Sequence, residues 1–107
     1  MFDPETGNID LNVAKSWYRY DLSNYITDNW ERIGSKLQGK IFIWVGTADA
    51  GYFNNAVRVF ESNMSKLENP KSDAIIEFKA NGTHCEMYSQ RRILEQIAEK
   101  LDKMDKY

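Results

Sequence analysis

Two ionisable residues stand at the ends of short turns that follow apolar runs: Asp49 closes "VGTAD" and His84, the chain's one histidine, closes "NGTH". A carboxylate placed beside an imidazole orients the ring through Nδ1–H and stabilises the imidazolium. Nε2 is then left to take a proton from a nucleophile. Each residue also has a plainer use. An aspartate just before a helix commonly caps its free N–H groups, and a histidine in a Gly-Thr turn can simply be solvated. Cys85 and Glu86 adjoin His84, but one histidine and one cysteine do not complete a tetrahedral zinc site, so no metal is expected. Adjacent residues on an extended loop point apart, which disfavours a Cys85–His84 dyad and leaves Cys85 as a small packing residue.

The elements that must bring Asp49 and His84 together are legible from the pattern. "IFIWV" at 41–45 is apolar throughout and rich in β-branched and aromatic residues, as expected of a strand covered on both faces. Phe53, Val57, Phe60, Met64 and Leu67 draw one stripe along a helix that Pro70 ends. "AIIEFKA" at 74–80 alternates only in part and suits a strand nearer an edge. Ile93, Leu94, Ile97, Ala98, Leu101 and Met104 predict a last amphipathic helix from Tyr88 to about Met104.

Strand, helix, strand, helix is a βαβα unit with parallel strands and a right-handed crossover. In open parallel sheets the reactive groups gather outside the carboxyl ends of the strands, where both Asp49 and His84 fall. Upstream, Leu11, Ala14, Trp17 and Tyr18 suggest one short helix. Leu22, Ile26, Trp30, Ile33 and Leu37 suggest a second, capped by Asp21 and stopped at Gly39. The fold class is therefore α/β: a helical lead-in over 1–39 with two helices, then a βαβα unit over 40–107, as one domain or a fragment. The aromatic residues Trp17, Tyr18, Tyr20, Tyr25 and Trp30 are expected in the core rather than on a carbohydrate-binding face. Phe53 is expected to open the helix stripe, whereas Tyr52 remains open to a role in walling a pocket.

The order apolar strand, G-x-x-D, helix, strand, G-x-H, helix resembles the C-terminal end of an α/β-hydrolase of the esterase-like branch, over about residues 39–101. The resemblance implies a Ser-Asp-His triad in which Asp49 is the acid and His84 the base. It implies ester or acyl hydrolysis of a small-molecule substrate and no cofactor. The nucleophile elbow G-x-S-x-G is absent from this chain, as are the oxyanion-hole segment and the earlier strands. Ser35 in "RIGSKLQG" lacks the flanking strand and the second glycine, so the chain alone is expected to be inactive.

Composition bounds the alternatives. With 14 basic and 16 acidic residues the net charge is -2, which offers nucleic acid no basic surface. No polybasic segment marks a membrane as partner, no apolar run approaches the roughly 20 residues of a span, and no signal-peptide pattern is visible. A lone cysteine rules out an internal disulfide and leaves the compartment unknown. The sequons at Asn63 and Asn81 are short enough to occur by chance. Two parallel strands alone leave unpaired edges, so a homo-oligomer joined through those edges is expected. The competing reading is a non-catalytic α/β domain that self-associates or binds another protein.

Overall fold

Aspartate and serine side chains set the helix starts. Asp10 accepts from the N–H groups of Asn12 and Val13, Asp21 from that of Asn24, and Ser89 from that of Arg92. In the computed structural model, which describes residues 2–105, they open α1 (Leu11–Tyr18), α2 (Leu22–Asp28) and α5 (Gln90–Met104). Between α2 and α5 come α3 (Trp30–Leu37), β1 (Phe42–Gly46), α4 (Phe53–Met64) and β2 (Ile75–Lys79). The architecture is mixed α/β, with five helices and a two-stranded parallel sheet.

Three helices, not two, precede the sheet. Asn29 leaves the helical region (φ -113°, ψ 10°), and its amide Nδ2 donates to the carbonyl of Tyr25 at 2.8 Å. A side chain that bonds the preceding turn competes with the helix ladder and breaks the run that the Leu22–Leu37 stripe predicts as one helix. The break swings Trp30 inward. Its Nε1 donates to Pro70 O at 2.7 Å, and the ring is buried with Met64 and Leu67. Ile26, Leu37, Ile41, Phe60 and Ala74 pack around this cluster. The last helix likewise starts later than the stripe suggests, at Gln90, because Ser89 supplies the cap.

The strands pair in register from Phe42↔Ile75 to Gly46↔Lys79. Ile75 N donates to Ile41 O and Thr47 N to Lys79 O, so the odd-numbered residues of β1 turn their backbone groups toward β2. The N–H and C=O groups of Phe42, Trp44 and Gly46 consequently point to an edge that no other described strand covers. The two helices of the βαβα unit take opposite faces. On one, Arg92 of α5 stacks 4.6 Å from the Trp44 ring and grips Glu77 with both carboxylate oxygens at 2.6 and 2.7 Å. On the other, Arg58 of α4 lies 4.4 Å from the Phe78 ring.

Much apolar surface stays uncovered. The radius of gyration is 17.0 Å, against about 13 Å for a compact domain of this length. The accessible surface of 8459 Å² likewise exceeds the roughly 6,200 Å² that a compact chain of this mass exposes. The lead-in aromatics account for part of the excess. Trp17, Tyr18, Tyr20 and Tyr25 are exposed rather than in the core; only Trp30 of that group is buried. Of the two short helices, α1 buries none of its residues, whereas α2 reaches the core through Ile26 and leaves Leu22 and Tyr25 exposed. β1 is also less enclosed than its sequence predicts, for Val45 is buried while Phe42, Ile43 and Trp44 are half-buried.

Candidate active site

The two turns beyond the strands are tied to each other before any ionisable side chain is considered. Thr47 N donates to Lys79 O and Ala48 N to Gly82 O, both at 2.9 Å, while Asn81 N donates to Thr47 Oγ1 at 2.8 Å. These bonds extend the ladder past the sheet and fuse the "GTAD" and "NGTH" turns into one rim. Close approach requires glycine at the seam. A Cβ on Gly46 would stand 2.0 Å from Gly82 O, inside any permitted contact.

On that rim His84 Nδ1 lies 2.8 Å from Asp49 Oδ2. An ionised carboxylate can only accept, so Nδ1 carries a proton, and in the neutral ring Nε2 then presents a lone pair. Nε2 makes no hydrogen bond to the protein among the described residues. The carboxylate is 4% exposed and the imidazole 51%, so the acid is enclosed while the ring keeps an open face.

Asp49 does both of the things its position permits. While Oδ2 takes the imidazole, Oδ1 accepts from Gly51 N at 2.8 Å and from Phe53 N, the first residue of α4, at 3.4 Å. Capping and pairing are thus shared between the two oxygens of one carboxylate. Burial alone would raise its pKa, but the hydrogen bonds from His84, Phe53 N and Gly51 N, with the charge of His84, outweigh it and hold the group below the ordinary value.

A stability prediction follows from that sign. A carboxyl depressed on folding contributes stability above its unfolded value near 3.8, and loses it as pH falls through the lower folded value. Denaturant midpoints of the wild-type chain and Asp49→Asn are therefore expected to converge as pH is taken from 7 to about 3. A wild-type advantage that is undiminished in acid would refute the assignment.

Phe53 joins this site rather than the core. It is 57% exposed, and its ring centroid lies 5.7 Å from that of His84 at a tilt of 36°. Gly51 leaves room for it, since a Cβ there would meet the Phe53 ring at 2.9 Å. Tyr52 adopts the left-handed conformation (φ 58°) and is exposed. Cys85 is exposed, not a packing residue, and also left-handed (φ 56°), so it turns the chain immediately after His84. Ser35 lies exposed on α3. An open groove of about 380 Å³ runs from Asp49 and His84 past Phe53, Val57 and Met87 to the free edge of β1.

Sequence reasoning found Asp49 and His84 but missed the parts that hold them. Thr47, Gly46 and Gly82 act through contacts 34 to 36 positions away in the chain, which no local pattern encodes. Glu86 did carry a signal: "THCE" has the T-x-x-E spacing of a capping box. No helix in the structure is long and apolar enough to cross a membrane among the described residues. Comparison with known proteins finds no matching family model, curated protein or solved structure.

Proposed function

We propose that this chain is the C-terminal, acid-and-histidine part of an esterase-like serine hydrolase of the α/β-hydrolase type. One observation carries the reading: an enclosed carboxylate orders the Nδ1–H of a half-exposed imidazole at the carboxyl ends of adjacent parallel strands. Asp49 precedes His84 by one crossover helix, in the order the triad demands. In this reading Asp49 fixes the tautomer and stabilises the imidazolium. His84 Nε2 takes the proton of a serine hydroxyl as that oxygen attacks an ester carbonyl, and then returns it to the leaving alcohol. Water repeats the cycle on the acyl-enzyme. The serine and the donors for the oxyanion come from strands beyond the 107 residues, and the unpaired groups of Phe42, Trp44 and Gly46 supply an edge for such strands to join.

The test compares the 107-residue chain with the protein as its complete gene encodes it, using an activated ester and a fluorophosphonate probe. The short chain is expected to show no saturable, His84-dependent turnover. The complete protein is expected to be labelled on a serine outside residues 1–107. Saturable, His84-dependent hydrolysis by the short chain overturns the division of the triad, and a complete protein with no labelled serine overturns the hydrolase reading.

A second reading has its own support. The same apolar edge, with no proline or charged residue in "FIWVG", fits self-association or the binding of another protein's extended segment. That non-catalytic reading is the one left standing if no serine is labelled.

A further inference from the structure

We propose that Glu86 is a positioning residue for His84, holding the histidine turn closed so that the imidazole meets Asp49. The proposal deepens the hydrolase reading, but it concerns the His84–Asp49 pair itself and is tested there.

The turn that carries His84 has little intrinsic reason to keep its shape. It is exposed, it contains two non-glycine residues in the left-handed region, Asn81 and Cys85, and no regular element resumes until Gln90. Each such residue carries a conformational cost and persists only where surrounding bonds fix it. Thr47 Oγ1 holds Asn81 from the facing turn, and Glu86 supplies the side-chain bonds that bracket His84 itself. Its Oε2 accepts from Thr83 N at 2.7 Å and from Thr83 Oγ1 at 3.3 Å, while Oε1 pairs with the ammonium of Lys79. One carboxylate thus ties the residue before His84 to the last residue of β2, bridging over the histidine.

The backbone bond is the part that matters. Lys79 and Glu86 side chains are each well exposed, 48% and 38%, and an exposed ion pair contributes little. The bond to Thr83 N resembles half of a capping box, in which a glutamate three residues on satisfies the N–H of the capping residue. Here it closes one tight turn instead of starting a helix. Glu86 N completes the ring by donating to Thr83 O at 3.3 Å. With the main chain fixed on both sides, His84 can reach Asp49 through its side-chain torsions alone.

The arrangement also separates two jobs. Asp49 and the Phe53 ring act on the imidazole directly, through a hydrogen bond and a ring contact. Glu86 makes no bond to the imidazole, so its removal should disturb where His84 sits and leave the chemistry of the Asp49 carboxylate intact.

The test follows the downfield proton NMR resonance of His84 Nδ1–H, unambiguous because the chain has one histidine. Wild type is expected to show it and Asp49→Asn to lose it. Glu86→Ala is expected to lose or broaden it beyond detection while amide spectra show the rest of the chain folded. Glu86→Gln, whose amide oxygen can still accept from Thr83 N, is expected to retain it, and so is Lys79→Met. An undiminished resonance in Glu86→Ala overturns the proposal. So does its loss in Lys79→Met to the same degree, which would move the effect to the ion pair. If Glu86→Ala does not fold, a resonance lost from folded Glu86→Gln and kept in Lys79→Met also overturns it, because the retained acceptor would not have sufficed. A wild-type chain without the resonance would instead sink the pairing on which the hydrolase reading rests.

Discussion

Trp30→Ala is expected to leave the 107-residue chain largely unfolded at room temperature. The indole is 5% exposed and sits at the centre of a cluster in which only Met64 and Leu67 are comparably buried. Truncating a buried tryptophan removes about 3–5 kcal/mol, the transfer of the ring plus the cavity it leaves. The change also strands Pro70 O, which accepts from Nε1 at 2.7 Å, and Gly34 loses its contact, because that helix face is shaped around the ring. Domains of this size hold about 5–15 kcal/mol in total. A chain whose surface exceeds the compact value by so much belongs near the lower bound. Loss of the cooperative thermal transition by circular dichroism is the expected outcome. Trp17→Ala, on an exposed side chain, is the control and should shift the midpoint little. A Trp30→Ala chain that melts as wild type would show that the stability lies elsewhere.

The contrast between those two tryptophans marks how far sequence could be read. Both lie at helical spacing in an apolar stripe, and periodicity states which face of a helix is apolar without stating what covers it. Trp30 finds α4 and the loop around Pro70; Trp17 finds no comparable cover. The break at Asn29 was illegible for a related reason. The stripe from Leu22 to Leu37 continues across it, and only the amide bond to Tyr25 O shows the interruption. The strands were legible because their runs, apolar throughout in "IFIWV" and apolar at Ile75, Ile76 and Phe78 in "IIEFK", are rich in β-branched and aromatic residues and too short between turn residues for a helix. Asp49 and His84 were legible because residue type and placement after a strand are both written locally. The distance between them was not, since it depends on bonds from Thr47 and Ala48 to Lys79, Asn81 and Gly82. Phe53 opens the α4 stripe, as its spacing predicts, but the stripe does not tell what that first residue meets. It stands at the first position of α4, beyond the end of β1, where the stripe overhangs the sheet and meets the histidine instead.

Gly46→Ala is expected to separate Asp49 from His84, and it tests the seam between the turns more severely than any change to either ionisable residue. A methyl group at that position would lie 2.0 Å from Gly82 O, 2.3 Å from Gly82 C and 2.8 Å from Thr83 O. These are backbone atoms, so no side-chain rotation relieves the clash. Restoring an ordinary contact requires the histidine turn to move by more than about 1 Å, and overpacking of this kind costs roughly 1–3 kcal/mol or more. The same carbonyl of Gly82 accepts from Ala48 N, so the displacement also breaks a bond that joins the rims. His84 follows Gly82 by two residues, and a shift of this size exceeds what a 2.8 Å hydrogen bond survives. Gly82→Ala is the milder comparison: its Cβ would meet Lys79 Cβ at 3.0 Å and Gly46 Cα at 3.2 Å, contacts that small adjustments can ease. The expected order is wild type, then Gly82→Ala, then Gly46→Ala, both in thermal midpoint and in the strength of the His84 Nδ1–H resonance. An intact resonance in Gly46→Ala, or a larger loss in Gly82→Ala, would show that the two turns are held apart by more than this contact allows. Under the proposed hydrolase reading, where His84 would act as general base, the same displacement predicts a fall in kcat of about 100-fold, the effect of a misplacement of about 1 Å.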